Sequence, residues 1–246
     1  MSQSFFLLDP LAVADLQVYL SRAARVEDGS VRLIAGSGVL AAYTAILYPR
    51  GLLDRCPTVL GLRTFAIRLG DAFDVVVPSR SMLDRLARLR ERLGAEGTTP
   101  EKGDDSENAN VEVRLPLEVS TVTWAGISPP RGGWMHVGST GRALLESVAA
   151  QGIAEVAEAV PTGIGEQLVQ RVRAEVWGKP IEGLEYVPAG AAFAASSLGF
   201  LGPGGAGNVD GGDPEAVELY ETGPWTRLSS RRGHVLVRRQ AWTLKP

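Results

Sequence analysis

Residues 31–48, VRLIAGSGVLAAYTAILY, carry the reading of the fold. Val31 to Ala35 reads as a strand and Gly36-Ser37-Gly38 as a turn. Val39 to Tyr48 reads as a second strand, and its nearly unbroken apolar run implies burial on both faces. A strand of that kind is central in a sheet, so the flanking sequence has to supply neighbouring strands and helices that cover it.

Towards the N-terminus, Asp9 can cap exposed amides and Pro10 suits a first helical position. A helix is expected from Pro10 to about Val26, with Val13, Leu16, Leu20 and Ala24 on the face that packs and Asp28-Gly29 at its end. Towards the C-terminus, Thr58 to Leu69 and Phe73 to Val77 are separated by Gly70-Asp71, which predicts an antiparallel hairpin. Pro78-Ser79 ends that strand. Met82, Leu86, Leu89 and Leu93 then form the apolar stripe of a helix stopped by Gly94. Its charged face, which includes Asp84, Arg85, Arg88, Glu91 and Arg92, reads as solvated.

Residues 95–110, AEGTTPEKGDDSENAN, offer only alanine as apolar side chains and cannot offset the entropy of ordering, so a mobile acidic loop is expected. From Val111 the odd positions 113, 115, 117 and 119 are apolar, after which Val122 and Trp124 continue on even positions. That change of phase predicts a bulge or break near Ser120. Helices are expected after Trp134: one run ending at Pro161 and weakened by Gly152, one from about Gly165 to Trp177, and a short one of small residues within Pro188 to Leu201. Ala216 to Glu221, Trp225 to Ser229 and His234 to Arg239 read as a closing β meander. The expected fold is α+β: a mainly antiparallel sheet with packed helices, a helical middle segment and a C-terminal β meander. The organisation reads as a sheet-and-helix region at 1–126 with the mobile loop at 95–110, followed by a helical region ending in short strands at 127–246, either as two regions or as one continuous domain.

A chain of 246 residues can bury a full core without disulfides or metals. Cys56 is the only cysteine, which fits a reducing cytoplasm. The N-terminal MSQSFFLLDP lacks a basic region and a long apolar core, so no leader is expected, and no apolar run approaches the ~20 residues of a membrane helix. The net charge of −3 combines −4 within 95–110 with +1 elsewhere, and neither value marks a concentrated nucleic-acid-binding face.

Motifs of chemistry are few. Gly202, Gly204 and Gly207 satisfy GxGxxG, but no strand precedes them and a turn-forming stretch follows, so they read as a flexible loop. Glu155 and Glu158 read as a solvated helix face. The stretch Ser128 to Trp134, SPPRGGW, places a guanidinium (Arg131) beside an indole (Trp134), with His136 two residues on. Arginine can pair with carboxylate or phosphate, and tryptophan offers a flat apolar face. Near the C-terminus Arg227, Arg231, Arg232, His234, Arg238 and Arg239 lie between Trp225 and Trp242, a mixture able to hold phosphates and stack on bases, or simply to coat an exposed hairpin. The two histidines, His136 and His234, make an incomplete metal site by themselves, and no metal or cofactor is expected.

The stretches SPPRGGW, GIAEVAEAVP, VRAEVWGKP, PAGAAFAASSLGFL and WTRLSSRRGHVLVRR resemble an actinobacterial family of conserved proteins without assigned function. That resemblance implies a cytoplasmic bacterial protein and brings no catalytic residues. The order of strand, Pro78 stop and amphipathic helix is also similar to sliding-clamp subdomains, an order that the second half does not repeat. The functional expectation is a non-catalytic binding protein for a protein partner or an anionic ligand. Its candidate contacts are Arg131, Trp134, His136, Arg227, Arg231, Arg232 and His234. The alternatives are an enzyme acting on an anionic small molecule and a nucleic-acid-associated protein.

Overall fold

A computed structural model describes residues 3–51, 54, 56–96, 110–119, 122–126, 128–160, 165–202 and 216–239. Most of the acidic 95–110 stretch, the GxGxxG glycines at 204 and 207, and Trp242 lie outside the described residues. The elements are β1 (Ser4–Leu7), α1 (Pro10–Val26), β2 (Ser30–Gly36), β3 (Val39–Leu47), β4 (Thr58–Ala66), β5 (Phe73–Pro78), α2 (Ser79–Glu96) and β6 (Val111–Arg114). After a 3-10 turn at Thr123–Gly126 come β7 (Met135–Gly141), α3 (Arg142–Ala159), α4 (Glu166–Gly178), β8 (Pro180–Ile181), β9 (Leu184–Pro188), α5 (Ala189–Ser197), β10 (Ala216–Thr222), β11 (Trp225–Ser230) and β12 (Gly233–Arg238). The fold is α+β and its sheets are antiparallel. The chain forms two compact units: Met1–Thr44 with Arg63–Ala125, and Ala45–Leu62 with Gly126–Pro246.

In the first unit α1 starts where the sequence places it, because the Asp9 carboxylate accepts from the Leu11 amide at 2.8 Å and Pro10 has no N–H that would need an acceptor. Val13, Leu16, Tyr19, Leu20 and Ala23 are its buried residues. β2 and β3 form the expected hairpin. Ser37 (φ 52°) and Gly38 (φ 77°) both take the left-handed region, as a two-residue turn matched to strand twist requires.

The expected hairpin between 58–69 and 73–77 does not form. β5 pairs with β2, setting Val31 opposite Val77 and Leu33 opposite Val75, while β4 pairs with β12 through Val59 opposite Val237. Two long-range interactions explain the divergence. Asp71 accepts from the Phe6 amide at 2.9 Å and from Arg68 at 3.1 Å, so the turn is tied to β1. Arg32 of β2 then grips Asp74 of β5 through two bonds of 2.8 and 2.7 Å, a bidentate pair that fixes their register.

β6 pairs with β1 and is shorter than the expected strand. Beyond it the backbone leaves the ladder, with the Val119 amide donating to Val76 O at 2.8 Å, and Trp124 is buried in the 3-10 turn.

In the second unit the strands run β4, β12, β11, β10, β7. The meander of β10 to β12 is present as expected. β7, read as the approach to a helix, is a strand opposite β10, and its register shifts between Leu219 and Tyr220. Its MHVGSTG sequence is rich in glycine and small polar residues, so the partner strand, not local propensity, determines it. α3, α4 and α5 follow near the expected bounds. The small residues of α5 allow close approach, since a Cβ on Gly190 would meet Leu47 Cδ1. Among the described residues, no helix is long and apolar enough to cross a membrane.

Candidate functional site

Antiparallel register assembles the second unit's polar cluster. Tyr220 of β10 lies opposite His136 of β7 on one side and Arg227 of β11 on the other. Glu218 lies opposite Ser229, and Ser229 opposite His234 of β12. Residues directly opposite share a face, so these side chains emerge together.

Arg227 is the centre of the cluster. Its guanidinium carbon stands 4.7 Å from the Trp134 ring centroid and 4.4 Å from that of Tyr220. Trp134 is half-buried and is held by its indole N–H, which donates to Pro130 O at 3.2 Å; the preceding Gly133 has φ 75°. A cation against an aromatic face gains roughly 0.5–2 kcal/mol. Against this, Arg227 Nε is buried and has no hydrogen-bond partner among the described residues. Burial pulls the pKa of Arg227 below its ordinary value, with Tyr220 offsetting a little. The Nε edge of the stacked cation is thus desolvated, and no carboxylate among the described residues pairs with it.

His136 is exposed. Its Nε2 lies 2.5 Å from Glu218 Oε2, and its ring meets Tyr220 edge-on at 5.3 Å. His234 is half-buried, with Nδ1 2.9 Å from Ser229 Oγ; burial, and then the charge of Arg227, lower its pKa. β7 and β12 are three strand steps apart, about 14 Å, so the histidines cannot share a metal ion. No group of three or more His, Cys, Asp and Glu able to hold a metal occurs among the described residues.

The structure therefore joins Trp134, His136 and Arg227, with His234 beside them, and adds Tyr220, Glu218 and Ser229, which the sequence reading had missed. The alternation in AVELYET places Glu218 and Tyr220 on one face of β10, but no local signal says which strands lie opposite them. Arg131 is exposed in the Trp134 loop. Arg231 and Arg232 are exposed in the turn after β11, four residues or about 13 Å along the strand from Arg227, and stand apart from the stacked group. Arg239 is engaged elsewhere, with Glu221 at 3.2 Å and Gly223 O at 2.5 Å.

This is an α+β protein of two units with a guanidinium–aromatic cluster on one sheet. Residues 1–102 match the family described as "Domain of unknown function (DUF8010)", and residues 129–242 match "Domain of unknown function (DUF8185)". No curated protein matches the chain. Among solved structures, the chain is similar to the DNA polymerase sliding clamp from Caulobacter crescentus, at 13% identity and TM-score 0.46 over 98% of this chain and 67% of that one. It is similar to the DnaN sliding clamp from Bartonella birtlesii bound to griselimycin, at 13% and 0.49 over 99% and 66%. A third similar structure is the sliding clamp from Bacillus subtilis, at 11% and 0.46 over 100% and 67%. The chain spans about two thirds of the length of these proteins.

Proposed function

We propose that the chain is a non-catalytic binding protein that recognises an anionic group, carboxylate or phosphate, on a protein partner or a small ligand. The contact face is the Trp134–Arg227–Tyr220 stack with His136 and Glu218 at its edge. One observation carries the reading: a half-buried guanidinium between two rings, whose buried Nε lacks any acceptor among the described residues. Leaving such a donor unpaired costs about 1–3 kcal/mol, which an incoming oxyanion recovers while the rings supply flat apolar contact. The reading places this binding in the bacterial cytoplasm, where the single thiol of Cys56 stays reduced.

Titration with phenyl phosphate and with benzoate, followed through indole N–H resonances, tests it. Saturable movement of the Trp134 signal is expected, absent with neutral benzamide and lost in Arg227→Met. Absence of saturation, or equal binding by the Met variant, would remove the proposal. A second reading, an enzyme acting on an anionic small molecule, draws on the His136–Glu218 hydrogen bond beside the same cation. Turnover lost in His136→Gln with ligand binding retained would favour it.

A further inference from the structure

A cleft of about 460 Å³ lies between α2 and β6 in the first unit, remote in sequence from every residue of the Arg227 cluster. Its apolar lining comes from Pro10, Leu89, Leu93, Val111 and Val113. The lining also includes Arg85, Arg88 and Arg92, at helical spacing that puts them on one face along about 10 Å of α2, and Arg114 of β6. Glu112 is the single carboxylate in the lining.

Neighbouring arginines of α2 are engaged: Arg80 pairs with Asp28, and Arg90 donates to Gln17 at 2.8 Å. Arg85, Arg88 and Arg92 have no such partner among the described residues. Among the described residues, Arg114 is near Glu112, at 3.8 Å.

Among the described residues, one edge of β6 is unpaired. The Leu115 amide donates to Gln3 O at 2.8 Å, and the register continues through Val113 opposite Phe5 and Val111 opposite Leu7. In an antiparallel ladder these alternate residues turn their backbone groups to β1, so Glu112 and Arg114 turn theirs the other way. No strand among the described residues pairs with that second edge.

We infer that this cleft docks an extended acidic peptide of a partner protein, which adds as a strand to β6 and sets its carboxylates against the α2 arginines. Alternate residues of an extended chain recur about every 6.8 Å, close to the roughly 6 Å rise from Arg88 to Arg92. A nucleic acid would match the arginines, but it has no peptide N–H and C=O to pair with a strand edge and no apolar side chains for the cleft wall.

The experiment is fluorescence anisotropy on the full chain with a labelled short peptide alternating glutamate and valine. Saturable binding is expected. It should weaken by roughly tenfold or more in Arg88→Gln/Arg92→Gln, two exposed positions whose change spares the core, and by a similar factor when alternate peptide amides are N-methylated at constant charge. Four results would overturn the inference: no saturation, affinity unchanged in the double variant, affinity unchanged by methylation, or binding of oligo(dT) but not of the peptide. Arg227→Met should leave this binding intact, so failure here and failure of the sheet-face proposal are separable.

Discussion

Gly152 of α3 stands against the indole of Trp177 of α4 so closely that a Cβ at 152 would lie 2.2 Å from Cζ3 and 2.6 Å from Cη2. Trp177 cannot retreat, because it is 2% exposed and stacks on Phe193 of α5 with centroids 4.3 Å apart. The glycine that weakens the helix in sequence is the one that lets three helices meet. Alanine there gains up to about 1 kcal/mol of helix propensity, but overpacking costs about 1–3 kcal/mol, so Gly152→Ala should lower stability and Gly152→Val should lower it further. Denaturant midpoints at constant slope measure this, and a raised midpoint for the alanine variant would contradict the packing argument.

His234 gives a pH prediction. Burial and the nearby Arg227 charge hold its folded pKa below the ordinary 6.5. Above about 6.5 the imidazole is neutral in both states and its contribution is fully present. As pH falls below that value the unfolded chain takes the proton first, so stability declines towards the folded pKa. An NMR titration should find His234 below 6.5, and Arg227→Met, which removes the cation and admits water, should move it up. An unshifted value in both proteins would refute this electrostatic account.

Two buried hydroxyls should respond in opposite senses. Tyr19 Oη lies 2.8 Å from Thr44 Oγ1 and 3.3 Å from Ala42 O, and burial pushes its pKa well above the ordinary value. Tyr19→Phe strands those partners and should cost about 1–2 kcal/mol. Thr226 is 2% exposed, and its Oγ1 has no partner among the described residues. Thr226→Val replaces an unsatisfied donor with a methyl of the same shape, so stability should hold or rise by up to about 1 kcal/mol. Thermal unfolding of both variants checks the pair of signs.

Local signals decided which parts of the fold were legible. The α1 bounds follow from Asp9-Pro10 and the apolar spacing after it, and the β2–β3 hairpin from Gly36-Ser37-Gly38, because each rests on residues a few positions apart. β5 was assigned the wrong partner because its choice of β2 depends on Arg32 and Asp74, 42 residues apart. The same limit governs the candidate site. Trp134, His136 and Arg227 stand out by residue type, whereas Glu218 joins His136 across 82 residues and Tyr220 joins by register, which no local pattern encodes.

Cys56 should be inert in the folded chain. The thiol is 7% exposed, and burial foremost, then the charge of Asp54, pushes its pKa up to about 11 despite Arg173 and Arg50. Its backbone N–H donates to Asp54 Oδ1 at 2.8 Å, which keeps that carboxylate near. Only the thiolate attacks a disulfide reagent, so at pH 8 the native chain should present roughly a hundredfold less reactive sulfur than an unperturbed cysteine, before the added hindrance of burial. Reaction with a chromogenic disulfide should therefore be slow in buffer and fast in denaturant. Asp54→Asn, which removes the negative charge and loosens the adjoining turn, should quicken it. Equal rates in buffer and denaturant would show that the thiol is accessible and ionised in the folded protein, against both its burial and its electrostatic setting.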